Sequence, residues 1–308
     1  MAVSISFKDI KWIGTGKNEL PVIIRKEFEF RKGEKTEITV GCMGTFILTV
    51  NGKRISDELF LPLNSDFEKR YDIPYGDILF NEELTHRLYC PRLDMTGMLN
   101  DGTNTLCFYL SPGFYEEYDY GTAKISWKIK ISDENGNSRV ITPDGNEEYS
   151  EFYVKEADII RGETHDYTVN NEKPEKVIVY DAPETEYYLQ DCPSDRIIRK
   201  LTPRYLGNNI WDAGEVMTGY PVIKSNKAQK ITVRYGELLN EDGTLDEMHI
   251  YGQHTDYITD DNERLLHPEF TWLCFRYFEV KGDCEVIDCE VIHSDVDVSS
   301  EFECSNDT

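Results

Sequence analysis

The fold of this chain is decided by residues 124–137, which read KISWKIKISDENGN. Every second residue of the first half is apolar, namely Ile125, Trp127, Ile129 and Ile131. An alternation of period two predicts a β-strand that has one buried and one solvated face. Residues 133–137 then supply turn formers, and Gly136 among them can adopt a positive φ. We therefore expect a strand that leads into a tight turn and buries all four apolar side chains in one core.

The same alternation recurs along most of the chain. Phe46, Leu48 and Val50 recur at period two and run into an Asn-Gly pair, and the same period recurs at residues 231, 233 and 235. Apolar stripes of helical period and useful length are absent from the sequence. Short strands separated by turns predict an all-β fold made of antiparallel β-sandwiches rather than a parallel α/β sheet.

The length of the chain predicts two domains. Single cores rarely grow beyond roughly 250–300 residues, and this chain has 308. The polar segment 170–203 is punctuated by four prolines, Pro174, Pro183, Pro193 and Pro203. Segments of this composition commonly link domains. We place an N-terminal β-sandwich at residues 1–200 and a second β-sandwich at residues 201–308.

The charge balance excludes one class of partner. The chain has 58 acidic against 33 Lys and Arg residues, with a formal net charge of −25. This charge opposes binding to a phosphate backbone, so we expect no nucleic-acid partner. Carboxylates scattered in this way are typical of a solvated surface.

The cysteines and the apolar segments of the sequence indicate the cellular compartment of the protein. Eight cysteines form no C-x-x-C pair and no zinc spacing, and several lie in apolar runs, as Cys107 does. Residues 1–10 do not resemble a signal peptide, and no apolar span reaches about 18 residues. Because free buried thiols fit a reducing compartment, we expect a cytoplasmic protein with no membrane partner.

The last third of the chain carries the most specific motifs. They are WDAGEVMTGY at 211–220, RYGELLNEDGTL at 234–245, FRYFEV at 275–280, HSD at 293–295 and FECSN at 302–306. In this order and spacing they resemble the β-sandwich region that precedes the catalytic domain of bacterial α-L-rhamnosidases, a glycoside hydrolase family. The segments 23–28, 48–54, 94–96 and 160–167 resemble the amino-terminal sandwich of the same family. The resemblance covers residues 12–306 and implies a jelly-roll, galactose-binding-like domain followed by a concanavalin-like domain.

The resemblance also implies a function. In that family the last motif leads into a helical toroid that holds the catalytic carboxylates. We therefore expect this chain to be the non-catalytic N-terminal portion of an enzyme that hydrolyses terminal α-L-rhamnosides. Its expected partners are the catalytic helical domain of the same polypeptide and a rhamnose-containing carbohydrate. Two alternatives stay open, a free-standing carbohydrate-binding protein and an autonomous jelly-roll hydrolase, and the latter needs paired inward carboxylates that the sequence does not show.

One segment mimics a catalytic motif. Residues 191–196 read DCPSDR and match the start of the D-C-P-x-R-D-E-R segment that contains the general acid in this family. The segment precedes the FECSN motif instead of following it, and it lacks the later parts of the pattern. We expect it to be a connector, and we assign no catalytic residue to the chain. The sequence also contains no G-x-S-x-G elbow and no H-E-x-x-H motif.

The best candidate for sugar contact is the segment 114–120, FYEEYDY. Sugars present apolar C–H faces that stack on aromatic rings, and their hydroxyls need polar partners. This segment offers four aromatic rings and three acids. The candidate carbohydrate-binding residues are Phe114, Tyr115, Tyr118, Asp119 and Tyr120. The alternative is an aromatic loop that is buried against the neighbouring domain.

Two groups of residues raise the question of a metal. Residues 100–104, NDGTN, offer oxygen ligands that suit calcium, but the composition is equally that of an ordinary turn. His249 and His254 could form a pair with Asp256, but a spacing of five in an extended segment places the two rings on opposite faces. We predict no metal and no cofactor.

The segment 234–256 is the candidate interdomain surface. We expect a strand near residues 231–235, followed by an exposed loop with its tip at residues 240–243. His249, Tyr251 and His254 follow without local apolar partners. The resemblance implies that this loop faces the catalytic domain.

Overall fold

The structure is a computed structural model that describes residues 3–16, 20–64, 87–117, 121–169, 173–246 and 252–297, and also Ser299, Glu301 and Glu303. The first seventeen strands are β1 (Ser4–Ile5), β2 (Trp12–Gly14), β3 (Val22–Phe30), β4 (Lys35–Met43), β5 (Thr45–Val50), β6 (Lys53–Arg54), β7 (Arg87–Cys90), β8 (Arg92–Asp94), β9 (Gly102–Ser111), β10 (Lys124–Ser132), β11 (Ser138–Ile141), β12 (Glu148–Glu151), β13 (Val154–Asp158), β14 (Gly162–Asp166), β15 (Glu175–Lys176), β16 (Ile178–Tyr180) and β17 (Glu186–Leu189). The remaining eight are β18 (Asp195–Leu201), β19 (Arg204–Gly207), β20 (Ile210–Ser225), β21 (Gln229–Gly236), β22 (His254–Thr259), β23 (Arg264–Leu266), β24 (Leu273–Lys281) and β25 (Glu285–Ser294).

Helical structure in the described residues is confined to a four-residue helix, α1 (Phe114–Glu117), and a 3-10 turn (Thr96–Met98). None of the helical structure in these residues is long and apolar enough to cross a membrane. The predicted all-β fold class is confirmed.

The first sandwich consists of two six-stranded sheets. One has the order β16-β2-β10-β4-β8, with β11 added on β10, and the other has the order β15-β12-β3-β9-β5-β6. The predicted strand at residues 124–132 is β10, and it lies in the middle of the first sheet between β2 and β4. Its central position means that one face must be apolar, which explains the strict alternation in the sequence.

The core of the first sandwich confirms the expected burial. Ile125, Trp127 and Ile129 are 0% exposed and Ile131 is 1% exposed. The Trp127 ring stacks on Phe108 of the opposite sheet, with ring centroids 4.5 Å apart. Burial of four such side chains stabilises the fold by roughly 1.5–3 kcal/mol each, before the entropic cost of ordering them.

The second sandwich is built from one sheet that curls over its own core. The hydrogen-bonded order is β13-β14-β22-β21-β24-β20-β25-β18, with β19 and β23 both added on β20. Strand β20 is sixteen residues long, and it pairs first with β24 and then with β25 after register shifts. The enclosed core contains Tyr235, Phe275 and Phe278, each 0% exposed. Bulges increase local bending and twist, so β20 can take part in both layers.

The chain passes between the two sandwiches more than once. The hairpin β13–β14 joins the second sheet, where β14 pairs in parallel with β22. The following strands β15 and β16 return to the first sandwich, and β17 pairs with β1 and β7 in a small third sheet. The division of the chain at residue 200 stays a prediction.

Two apolar clusters join the sandwiches. In one, Ile23 of β3 packs with Val154 of β13 and with Phe270 in the loop before β24. In the other, Leu59 packs with Tyr220 and Ile292 of the curled sheet. These contacts create a junction between the two halves, with a crevice beside it.

Candidate carbohydrate site between the two sandwiches

A crevice with a volume of about 210 Å³ lies at the junction of the sandwiches. Its aromatic walls are formed by Phe60, Phe114, Tyr115 and Trp272. Polar side chains that line it are Thr45, Asn64, Asp195 and Ser294. The lining is mostly apolar with a few polar groups, which is the usual composition of a small-molecule site.

The predicted aromatic segment begins at this crevice. Gly113 has φ 55°, and a Cβ at this position would lie 2.7 Å from Thr45 Oγ1, so only glycine fits before α1. The helical turn that follows places Phe114 at the crevice, half-buried. Tyr115 also reaches the crevice, but it is 4% exposed and packs mainly in a cluster with Trp12 and Tyr187.

Three of the five candidate sugar-contacting residues, Tyr118, Asp119 and Tyr120, lie outside the described residues. The structure therefore brings Phe114 and Tyr115 to one crevice, and the role of the whole segment in sugar binding stays a prediction.

Asp195 comes from the segment that mimics a catalytic motif. It is the first residue of β18, its carbonyl accepts a hydrogen bond from the amide of Leu59 at 2.8 Å, and its carboxylate accepts one from Ser294 Oγ at 2.8 Å. The adjacent Arg196 turns away and forms an ion pair with Asp57 at 2.9 Å. The sequence predicts only a connector here. No local pattern reveals the contact of Asp195, because its partner Ser294 is 99 residues away.

Phe60 forms part of the crevice wall in a strained conformation. Its φ is 55°, which is unusual for a bulky residue. Such conformations cost about 1–3 kcal/mol and persist only where the surrounding structure imposes them. Here Leu59 and Phe60 pack against the second sandwich, so the contact between the sandwiches holds Phe60 in place in the crevice wall.

Trp272 is positioned by a buried carboxylate. Glu163 of β14 accepts hydrogen bonds from the backbone amide of Phe270 at 2.7 Å and from Thr271 Oγ1 at 2.9 Å. It also accepts one from the backbone amide of Glu269 at 2.9 Å, and its other neighbour is His165 Nε2 at 2.7 Å. Because four donors converge on one carboxylate, the loop that ends at Trp272 has little freedom to move.

The electrostatics of Glu163 support this structural role. Burial raises the pKa of this carboxyl, but the hydrogen bond and the charge of His165, together with the backbone amides, outweigh burial, and the pKa of Glu163 is lowered overall. Glu163 is therefore an ionised anchor. The segment 160–167, which in the sequence appeared only as a family resemblance, thus has a physical role.

A second buried carboxylate links two of the motifs. Asp212 of β20 accepts hydrogen bonds from Arg276 of β24, with Nε to Oδ1 at 3.0 Å, and from the amide of Gly214 at 2.8 Å. The Arg276 side chain lowers the pKa of Asp212. The ladder is interrupted between residues 212 and 217, and residues 214–216 are exposed there, whereas Ala213 stays in the core. Val216 in this bulge is 55% exposed.

The candidate interdomain residues are only partly described. His254 is the first residue of β22, and its Nδ1 lies 2.9 Å from the carbonyl oxygen of Gly252. His249 and Tyr251 lie outside the described residues. The expected strand before them is β21, and Gly243 at the expected turn has φ 82°. Asp256 forms an ion pair with Lys230 at 2.7 Å.

The turn at residues 100–104 is held together by its own side chains. Asn104 is fully buried, and its Oδ1 accepts hydrogen bonds from the amide of Asn100 and from Asn51 Nδ2, each at 2.8 Å. Within the part of the chain that the structure describes, no three His, Cys, Asp or Glu side chains are grouped to hold a metal ion.

These features define a class of protein: two consecutive β-sandwiches, locked at their junction, with internal carboxylates that organise the loops. The N-terminal domain of the α-L-rhamnosidases matches residues 80–201, and the bacterial α-L-rhamnosidase concanavalin-like domain matches residues 205–297. The chain belongs to the α-L-rhamnosidase family, and it carries these two domains in that order.

Known relatives agree with this assignment. An α-L-rhamnosidase of Streptomyces avermitilis is 23% identical over 322 residues, which cover 91% of this chain and 29% of the relative. One of Formosa agariphila is 23% identical, covering 88% of this chain and 32% of the relative. The chain thus spans about a third of the length of these relatives.

Two solved structures share the fold. The α-L-rhamnosidase of Dictyoglumus thermophilum has a TM-score of 0.82 at 22% identity, covering 97% of this chain and 37% of that structure. The Streptomyces avermitilis enzyme, solved in complex with L-rhamnose, has a TM-score of 0.79 at 20% identity, covering 94% and 30%.

Proposed function

We propose that this chain is the non-catalytic N-terminal portion of an α-L-rhamnosidase that hydrolyses terminal α-L-rhamnosides. In this proposal it packs on a catalytic helical domain of the same polypeptide, and the segment 114–120 contacts rhamnose-containing carbohydrate. The family membership and the partial coverage of the relatives support the proposal.

The observation that carries the docking role is an exposed apolar surface at one end of the curled sheet. The register aligns Arg204, Asp212, Tyr277 and Gly236 in one row across β19, β20, β24 and β21. Tyr205, Val216 and Leu238 lie within a few residues of this row and are 53%, 55% and 59% exposed. We call these three residues the sheet-end surface. Large apolar side chains left exposed close to one end of a sheet favour an interaction site there.

The sheet-end surface is presented by rigid structure. The ion pair between Asp212 and Arg276 fixes the base of the bulge that carries Val216. Strand β21 ends and strand β22 begins at the same end of the sheet, where Arg234 pairs with His254, and the sequence between the two strands contains His249 and Tyr251. A helical domain that docks here would cover the bulge that carries Val216.

The non-catalytic role is supported by the state of the carboxyl groups. A glycosidase needs a general acid whose pKa is raised, beside a second carboxylate. Among the described residues, every Asp or Glu with a shifted pKa is shifted downward, as Glu34 is by Arg139 and Asp212 is by Arg276. Such carboxyls remain ionised at neutral pH and are poor proton donors.

A test of the docking role uses the full-length polypeptide. Val216→Asp and Leu238→Asp should each lower its stability or its kcat/KM by the equivalent of about 1–3 kcal/mol, because a charge would be buried against the catalytic domain. The matched control is Leu265→Asp on β23. Leu265 is 62% exposed, and β23 pairs with the far end of β20, so this variant should resemble the wild type.

The 308-residue chain alone should not turn over an aryl α-L-rhamnoside. Turnover by the pure chain that a point substitution within it abolishes would refute the non-catalytic role. Docking variants that behave like Leu265→Asp would refute the docking role.

We also propose a cytoplasmic location. The seven described cysteines are all free thiols, and Cys42, Cys90 and Cys289 are buried. An oxidising compartment would favour pairing of thiols in a chain of this kind. Fractionation of the source cells with an antibody to the chain tests the location directly, and recovery outside the cytoplasm would refute it.

A further inference from the structure

We propose that the crevice between the sandwiches binds a single pyranose residue, with L-rhamnose as the matching sugar. This inference rests on the sugar contact in the proposed function and assigns it to a set of residues that shares only Phe114 with the segment 114–120. The binding groups are Trp272, Asp195 and Ser294 from the second half of the chain, together with Phe60 and Phe114 from the first.

The volume of the crevice fits one sugar ring. A cavity of about 150 Å³ is enough to hold benzene. The crevice, at about 210 Å³, therefore has room for a six-membered ring with its hydroxyl groups. A monosaccharide or the terminal unit of a chain is a ligand that this volume admits.

The chemistry of the walls matches the two faces of a pyranose. The indole of Trp272 and the rings of Phe60 and Phe114 offer flat apolar surface for the C–H face of the sugar. On the polar side, Asp195 Oδ1 accepts a hydrogen bond from Ser294 Oγ, and among the described residues Asp195 Oδ2 has no hydrogen-bond partner. That oxygen can accept a hydrogen bond from a sugar hydroxyl.

The mostly apolar lining favours a deoxy sugar. A pyranose with a methyl group at carbon 6 buries that methyl without leaving a hydroxyl unpaired. L-rhamnose has this methyl group, whereas a fully hydroxylated hexose such as L-mannose carries one more hydroxyl at the same position. L-mannose is therefore a matched comparison ligand.

The site is preorganised by contacts outside it. Glu163 fixes the loop that ends at Trp272, and the packing of Leu59 on the second sandwich fixes Phe60. The crevice therefore depends on both sandwiches being docked, and neither half contains all of the binding groups.

A direct test is ¹⁹F NMR of the 308-residue chain labelled with 5-fluorotryptophan. The chain has four tryptophans, at positions 12, 127, 211 and 272, so four resonances are expected. Titration with L-rhamnose should shift the Trp272 resonance with a Kd on the order of millimolar. The resonances of Trp12 and Trp127, which are fully buried in the first half, should stay unchanged.

The variant arm separates this crevice from other sites. Asp195→Asn should raise the Kd about tenfold or more, because it removes a charged acceptor. The matched control Asp191→Asn changes an exposed aspartate in the same segment and should leave the Kd unchanged. L-mannose should bind more weakly than L-rhamnose.

Three results would overturn the proposal. The first is that the Trp272 resonance does not shift at L-rhamnose concentrations up to about 10 mM, roughly ten times a millimolar Kd. The second is that only the Trp211 resonance shifts. The third is that Asp195→Asn binds L-rhamnose with the same affinity as the wild type. The wild-type titration decides the matter even if a variant does not fold. Binding at Trp272 combined with docking variants that behave like their control would refute the docking proposal alone, and the reverse result would refute the crevice alone.

Discussion

At the scale of single residues, Glu163 orders the loop that ends at Trp272, beside the junction. Its buried carboxylate accepts hydrogen bonds from the loop before Trp272 and from His165. In Glu163→Gln, the amide group would face backbone donors, so at least one of them loses its acceptor. We expect the free energy of unfolding to fall by about 2–4 kcal/mol, measured by urea denaturation. Glu156→Gln on the exposed edge of β13 is the control and should change it by less than about 0.5 kcal/mol.

The pH dependence of stability reports on the same residue. The pKa of Glu163 is lowered in the folded state from its ordinary value of 4.5. Its contribution is therefore fully present above 4.5 and is lost as the pH falls through the lower folded pKa, because the unfolded state binds the proton first. The difference in unfolding free energy between the wild type and Glu163→Gln should narrow as the pH falls below 4.5. A difference that stays constant, or widens, on acidification would contradict this account.

At the scale of elements, strand β20 depends on close backbone approach. Gly219 has φ 143°, and a Cβ there would lie 1.9 Å from the carbonyl oxygen of Glu290 on β25. Gly219→Ala should therefore destabilise the protein by about 3–5 kcal/mol in thermal or urea unfolding. Gly214→Ala is the control, because Gly214 has φ 95° but open space around it, so only the backbone strain of about 1–2 kcal/mol applies. Equal losses in the two variants would show that steric contact at Gly219 is unimportant.

The local sequence pattern predicts those strands whose burial does not depend on which distant strand they pair with. Strand β10 could be predicted because a central strand buries one whole face, and its sequence therefore alternates between apolar and polar residues. The transfer of β13 and β14 to the second sheet could not be predicted, because it depends on parallel pairing between Gly162 and His254, 92 positions apart. No short-range pattern encodes such a partner.

In the candidate site too, residues that are close in sequence could be predicted together, and residues that are far apart could not. The aromatic residues at 114–115 could be found from composition, because rings interleaved with acids are conspicuous. Asp195, Ser294 and Trp272 could not be grouped, because Asp195 meets Ser294 only through the pairing of β18 with β25, 99 positions apart, and Trp272 lies in a third segment before β24. The segment that contains Asp195 resembles the start of a catalytic motif, and this likeness carries no information about its place at the junction.

At the scale of the whole molecule, the two sandwiches share both chain and core. The hairpin β13–β14 is inserted into the second sheet from within the first half, and the cluster of Ile23, Val154 and Phe270 crosses the junction. Separation of the two sandwiches would expose this cluster, because Ile23 belongs to the first sandwich whereas Val154 and Phe270 belong to the second. The free energy of the junction therefore couples the two cores.

This coupling predicts that the 308-residue chain unfolds in a single calorimetric transition, with equal calorimetric and van't Hoff enthalpies. Phe270→Ala should weaken the junction by about 3–5 kcal/mol and broaden or split that transition, because the second sandwich can then open first. Phe278→Leu is the control: Phe278 is buried in the second core alone, so this variant should lower the melting temperature of the one transition without splitting it. Two well-separated transitions in the wild type would show instead that the sandwiches fold independently and that the crevice between them is not preorganised.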